Sequence, residues 1–112
     1  MAAGTFNITI EKRATFSFET TFTQADGSAL DLTDRTLIGE IRRYFDNGLE
    51  ASFTITKTNA TGGIATISLT KTQTASLSEN ECTYDIFADH TDGTTLKLLT
   101  GSATIVKNIT SA

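Results

Sequence analysis

The segment CTYDIFA at residues 82–88 decides the fold class, because apolar side chains recur in it at every second position. Cys82, Tyr84, Ile86 and Ala88 lie on one face of an extended chain, and the residues between them lie on the opposite face. Strict alternation of this kind is typical of a β-strand that buries one face. The segment therefore predicts a strand packed against a core.

The same alternation recurs before and after this segment. It predicts further strands whose inward residues are Phe6, Ile8 and Ile10; Phe16, Phe18, Thr20 and Phe22; Leu37, Gly39 and Ile41; Ala51, Phe53 and Ile55; Ala65, Ile67 and Leu69; and a last strand over 96–106. Turn-forming residues separate them, among them Asp26-Gly27 and Asn47-Gly48. The sequence thus predicts an all-β fold, an immunoglobulin-like antiparallel β-sandwich of about seven strands, with a barrel as the alternative.

Three local features depart from plain alternation. Leu30 and Leu32 occur in a connector and are expected to lie under one end of the sandwich. Residues 70–77 predict a single helical turn from which Ala75 and Leu77 pack on the core, and such a turn often links the two sheets of a sandwich. Gly101 predicts a break or bulge in the last strand.

Composition indicates one domain and excludes some partners. The 112 residues fit a single immunoglobulin-like domain over 1–112, with flexible ends expected at 1–4 and 108–112. The formal net charge is −4. Because phosphate binding needs clustered Lys and Arg, no nucleic-acid partner is expected, and an anionic membrane surface is disfavoured. Arg42-Arg43 is the densest basic pair and is interpreted as part of a solvated face.

The first residues carry no signal-peptide pattern, since 1–4 lack a basic start followed by an apolar stretch. We therefore expect synthesis in a reducing host cytoplasm. Cys82 is the only cysteine, so an intrachain disulfide is impossible.

Candidate catalytic residues are few. His90 is the only histidine, and the hypothesis is that it is a polar turn residue. Cys82 is expected to face inward, where a thiol is unreactive. The sequence predicts no catalytic residues, no cofactor and no enzyme.

Two groups of acidic residues are candidate calcium ligands, because several carboxylates at one end of a sandwich can hold Ca²⁺. One group is Asp31 and Asp34; the other is Asp85, Asp89 and Asp92. Neither has the spacing of an EF-hand loop, and Asp is also a common turn residue. The prediction is no metal, with calcium left open at these five positions.

The aromatic pair Tyr44-Phe45 precedes the turn signal at 46–48. Exposed aromatic side chains on a loop can anchor a partner protein. The alternative is that one ring closes the end of the sandwich while the other is partly exposed. Tyr44 and Phe45, with neighbouring Arg42, are the predicted partner-binding residues.

Several motifs in order resemble one known family. They are DGSALDLT at 26–33, IRR at 41–43, GGIATISLT at 62–70, QTASL at 73–77, CTYDI at 82–86 and GSATIV at 101–106. Together they are similar to immunoglobulin-like domains of tailed bacteriophages, including phages of cyanobacteria. Such domains form virion structural proteins and the attachment ends of baseplate upper proteins and tail fibres.

The chain departs from that family at two places. Asp34 stands where members often carry Gly, and Cys82 replaces the first of two aromatic residues in the sixth strand. A tyrosine corner is therefore expected to be missing or rebuilt around Tyr84.

The resemblance implies a non-enzymatic virion protein, a tail or baseplate component that joins the tail to a fibre or receptor-binding protein. Its partners would be other phage structural proteins in a symmetric multi-copy assembly. Two alternatives stay open: a head decoration (cement) protein that stabilises the capsid, and a module that binds host glycans. The second is weakened because Trp is absent and Tyr occurs only at 44 and 84.

Overall fold

The computed structural model describes residues 4–24, 26–77 and 81–107. Within these ranges the chain forms nine strands and one short helix: β1 Gly4–Thr5, β2 Ile8–Glu11, β3 Phe16–Thr21, β4 Arg35–Arg43, β5 Leu49–Ser52, β6 Thr54–Asn59, β7 Ile64–Leu69, α1 Lys71–Ala75, β8 Cys82–His90 and β9 Thr95–Val106. The predicted flexible ends lie outside the described residues, except for Gly4, which begins β1. In the described part of the chain, no helix has the length and apolarity to cross a bilayer.

The strands form two sheets packed as a sandwich. One sheet has the order β1-β9-β8-β4-β5, and β2 also pairs with β9; the other has the order β3-β7-β6. This connectivity is that of an immunoglobulin-like sandwich with an added hairpin strand, β5, so the predicted fold class is confirmed. Pairing is antiparallel except that β1 and β2 run parallel to β9.

The core lies between the two sheets and consists of the alternating residues that the sequence singled out. Ile41 and Ile86 are fully buried on one inner face, and Ala65 and Ile67 on the other. Burying an aliphatic side chain of this size contributes about 1.5–3 kcal/mol, so the alternation supplies most of the driving force for folding. Leu30 and Leu32 are also buried, as predicted.

The predicted strand through Ala51 and Ile55 is two strands in different sheets. β5 pairs with β4, whereas β6 pairs with β7. The chain changes sheet at Phe53, whose N–H donates to the carbonyl of Gly39 at 2.9 Å. Both halves keep the same inward face, so alternation alone did not reveal the crossing.

The irregularity in β9 lies three residues before the predicted position. Ile86 pairs with Leu99 and Phe87 with Lys97, which leaves Leu98 as the extra residue of the bulge. Leu98 and Leu99 are consequently both buried. The predicted bulge near Gly101 is therefore present, but it lies at Leu98. Glycine is required at position 101 because a Cβ atom there would lie 2.2 Å from the carbonyl oxygen of Phe6.

The predicted helical turn between the sheets is present as α1, with Leu77 buried after it. Ala75, however, is exposed, and Thr74 takes the inward position instead. The buried Thr74 hydroxyl donates a hydrogen bond to the Ala14 carbonyl at 2.9 Å. A polar residue could fill this core position because the loop after β2 and the first residue of α1 both supply acceptors.

Phe6 also differs from its predicted place in the core. It lies between β1 and β2 with 48% of its surface exposed, and its ring contacts that of Phe18 at 5.4 Å between centroids. The Phe6 carbonyl accepts a hydrogen bond from the hydroxyl of Tyr84, which is buried in β8. Tyr84 thus ties β8 to the segment between β1 and β2. Its acceptor lies 78 residues earlier rather than a few residues upstream, so the contact is not a tyrosine corner.

Tyr84→Phe is expected to lower the free energy of unfolding by about 1–2 kcal/mol at neutral pH, because the Phe6 carbonyl loses its buried donor. Urea denaturation of the variant and the wild type measures this difference. Tyr44→Phe removes the hydroxyl of the exposed tyrosine and serves as the control, with no change expected.

Burial raises the pKa of Tyr84 to about 12. In the unfolded chain a tyrosine ionises near its usual value of about 10. The stability gained from the neutral phenol is therefore complete below about pH 10 and is lost as the pH rises towards 12. Wild type and Tyr44→Phe should both lose stability between about pH 10 and 12, and Tyr84→Phe should lose clearly less. Equal losses in all three proteins would refute this assignment.

Candidate partner-binding site

The hairpin between β4 and β5 carries the most exposed aromatic side chains of the described residues. Tyr44 is 67% exposed and Phe45 69% exposed, and Leu49 at the start of β5 is 50% exposed. We call residues 44–49 the hairpin tip. Neither ring closes the end of the sandwich, so that alternative was wrong, and both are accessible to a partner.

The backbone of the hairpin tip is held in one conformation. Asn47 adopts a φ of 57°, a left-handed conformation that Asn tolerates. The Asp46 side chain accepts from the Gly48 N–H at 2.9 Å, and Arg43 exchanges main-chain hydrogen bonds with Asn47 and Gly48 at 2.9 Å each. The turn is therefore fixed before any partner arrives, which reduces the entropy lost on binding.

Arg43 fixes the side chains of the hairpin tip. Its guanidinium lies 3.0 Å from Asp46 and 2.5 Å from Glu50, whose side chain is only 6% exposed. It also lies over the Phe45 ring, 5.8 Å from the centroid. The hydrogen bonds to Asp46 and Glu50 raise the pKa of Arg43, and the bond from Arg43 lowers the pKa of Asp46. Arg43 and Asp46 are therefore both charged at neutral pH, and the Arg43 guanidinium packs over one aromatic ring.

Arg42 lies on the other face of β4 from Arg43. It is half-buried, pairs with Glu40 at 2.9 Å and donates to the Asn47 carbonyl at 3.0 Å. Of the three predicted partner-binding residues, Tyr44 and Phe45 are exposed rings, whereas Arg42 stabilises the turn through its hydrogen bond to Asn47. Sequence reasoning missed Arg43, Glu50 and Leu49. The only available signal was that Arg43 and Glu50 flank a turn of Asp46-Asn47-Gly48 and carry opposite charges.

Arg43→Lys is expected to loosen the hairpin tip, because an ammonium group cannot contact Asp46 and Glu50 with the paired donors of a guanidinium. Amide hydrogen exchange at Asn47 should become about fivefold to tenfold faster. Arg35→Lys, at the opposite end of β4, is the control and should leave these amides unchanged. Unchanged exchange in Arg43→Lys would show that the main chain alone holds the turn.

Three of the five acidic residues considered for calcium, Asp31, Asp89 and Asp92, accept hydrogen bonds from neighbouring Thr hydroxyls. Asp31 accepts from the N–H and hydroxyl of Thr33, and Asp92 does the same with Thr94. These bonds lower the pKa of both carboxyl groups. Asp89 accepts from the Thr95 hydroxyl at 2.7 Å. Among residues 4–24, 26–77 and 81–107, no group of three or more His, Cys, Asp or Glu side chains could hold a metal ion.

The two residues considered for nucleophilic chemistry lie far apart on β8, at its opposite ends. Cys82 is fully buried, as predicted, and its burial raises the pKa of the thiol. His90 ends the strand, where its Nδ1 accepts from the Asp92 N–H at 3.1 Å. The structure does not bring the pair together.

Comparison of the chain with protein-family models and with curated protein sequences finds no match.

Proposed function

We propose that the protein is a non-enzymatic structural component of a tailed-phage particle, where it joins the tail or baseplate to a fibre or receptor-binding protein. The observation that carries this proposal is the hairpin tip, with Tyr44 and Phe45 two-thirds exposed on a rigid turn. Aromatic residues presented in this way are the usual energetic centres of protein–protein contacts. The motif resemblance supplies the phage context.

The preorganisation of the hairpin tip favours a binding role over an accidental exposure. Arg43 contacts Phe45, Asp46 and Glu50 at once, and one of these partners, Glu50, is nearly buried. A network that holds a ring in a water-exposed position gives little stability to the isolated domain. It does reduce the side-chain entropy that is lost when that ring binds to a partner protein.

The positions of Cys82 and His90 support a non-enzymatic role. A thiol with a raised pKa in the core is a poor nucleophile. The imidazole of His90 accepts a hydrogen bond within its own turn. The Cys82 thiol is therefore part of the core, and the His90 imidazole stabilises the turn after β8.

The placement is tested on purified particles of a phage that encodes this chain. Tails and heads are separated, the chain is quantified by mass spectrometry in each fraction, and intact particles are labelled with gold-conjugated antibody. We expect the chain in the tail fraction and the label at the tail end. Recovery in the head fraction alone would replace this placement by the head decoration role, and absence from particles would refute both.

A further inference from the structure

The first half of β4 has an open edge. β5 pairs with β4 only over Glu40, Ile41 and Arg42, and the chain then leaves for the other sheet at Phe53. On the opposite side β8 pairs with β4 along its full length. Among the described residues, no strand covers the 35–38 part of β4 on the β5 side.

The main-chain groups at this edge point outwards. The Gly39 carbonyl accepts from Phe53, so the main-chain groups of Gly39 point towards the β5 side. Along a strand the N–H and C=O groups of every second residue point to the same side. Leu37 is therefore directed to the open edge. The Arg35 N–H is already bonded to the Leu32 carbonyl at 3.0 Å, which limits the open edge to a few residues.

A depression of about 310 Å³ lies beside this open edge, and we call it the β4 bay. Its lining includes Leu37, Ile38, Glu40, Phe53, Asp85 and Phe87. Ile38 is 51% exposed and lies directly opposite Phe87 in the register of β4 and β8. The β4 bay therefore offers apolar surface next to an unpaired strand edge.

The charge of the β4 bay is negative. Glu40 and Asp85 are direct cross-strand neighbours, an arrangement of like charges that is unfavourable without a cation. Arg42 pairs with Glu40, whereas among the described residues no ion pair reaches Asp85. Lys97 lies over the Phe87 ring, in the adjacent strand β9. A cation supplied by a partner near Asp85 would therefore neutralise the second carboxylate of this pair.

We infer that the β4 bay binds an extended segment of another protein, which adds as a strand beside Leu37 and carries a Lys or Arg near Asp85. One apolar side chain of the segment would lie against Ile38, and the main chain would supply partners for Leu37. A second copy of this chain fits less well, because an edge-to-edge pair would bring the same carboxylates to both sides of the contact. Ile38 lies about six residues of strand, or about 20 Å, from Tyr44, so a segment added beside Leu37 and Ile38 would occupy a different site from the hairpin tip.

The test uses the full-length chain, isotopically labelled for NMR, and a synthetic peptide of about eight residues in which lysine and valine alternate. The peptide ends are acetylated and amidated. We expect saturable shifts of the Leu37 amide and the Ile38 methyl groups, with slower hydrogen exchange at Leu37. A glutamate–valine peptide of the same length should produce neither change.

A matched pair of variants separates specific binding from general attraction to an acidic protein. Asp85→Lys and Glu19→Lys change the net charge equally, and Glu19 lies exposed on β3 in the other sheet. We expect the dissociation constant of the lysine–valine peptide to rise about tenfold in Asp85→Lys and to stay within about twofold in Glu19→Lys.

Four results would overturn the inference. They are no shift at Leu37 with millimolar peptide, shifts centred on β3 or β6, equal weakening by the two variants, or self-association of the chain through β4 without peptide binding. Neither variant replaces a residue of the hairpin tip. Failure here would therefore leave the proposed attachment role standing.

Discussion

Changing Tyr44 and Phe45 together to serine is expected to weaken attachment of the protein to its neighbour in the particle by about a hundredfold or more. Both rings are two-thirds exposed and contribute little to the core. The free energy of unfolding should therefore stay within about 0.5 kcal/mol of the wild-type value. Quantitative mass spectrometry of purified particles measures retention of the chain, and denaturation of the isolated protein measures its stability.

Val106→Ser is the control for this double variant. Val106 is 41% exposed at the end of β9 and lies outside the hairpin tip, so its replacement removes exposed apolar surface elsewhere. Particles with Val106→Ser should keep their full complement of the protein. Full retention of the Tyr44 and Phe45 double variant, or equal loss of both variants, would exclude the hairpin tip as the attachment point.

Gly63→Ala is expected to remove about 3–5 kcal/mol of stability, which for a domain of this size is a large part of the total. Gly63 has a φ of 73°, and a Cβ atom there would lie 2.5 Å from the carbonyl oxygen of Phe22 and 2.8 Å from that of Leu30. Both contacts are with main chain, which cannot rotate away. Moreover, the Gly63 carbonyl accepts from the Phe22 N–H at 2.8 Å, so the clash falls on a hydrogen-bonded junction.

Gly93→Ala separates the two causes of this loss. Gly93 also has a positive φ, 96°, but a Cβ atom there would meet nothing within 4 Å. It should therefore cost only the conformational penalty of about 1–2 kcal/mol. Urea denaturation of the two variants gives the steric contribution by difference. Equal destabilisation would mean that the junction of Gly63, Phe22 and Leu30 adjusts without cost.

The sandwich was predictable from sequence because each inward position is decided locally. Ile67 or Ile86 is buried whichever strand lies beside it, since alternation fixes the face. The pairing of strands is not local in this sense. That β5 and β6 belong to different sheets depends on the bend at Phe53, and the residues before and after Phe53 continue the same alternation.

The exact position of a buried residue or a bulge, where it depends on contacts distant in the chain, was also not predicted. Thr74 takes the core position instead of Ala75, and its hydroxyl contacts the carbonyls of Lys71 and of Ala14, which lies 60 residues earlier. The bulge falls at Leu98 although Gly101 is the residue that suggests one, because Gly101 is needed for close approach to Phe6. A glycine in a strand has several structural uses, and the sequence does not distinguish among them.

The candidate site was half predictable. Tyr44 and Phe45 were identified because they precede a turn signal, where exposed aromatic side chains can anchor a partner protein. The role of Arg43 was not, because Arg42 and Arg43 are identical in type and only the pleat decides which one faces the turn acids. Glu50 reaches Arg43 only after the hairpin has formed. Predicting contacts between side chains across a turn requires the pairing register of β4 and β5, which the sequence alone did not define.

The most direct test is a reconstruction of the intact phage particle at a resolution that shows side chains. The account predicts a sandwich of this topology at the tail or baseplate, with the rings of Tyr44 and Phe45 enclosed by an adjacent protein. A particle in which the sandwich is present but both rings face solvent would contradict the central claim.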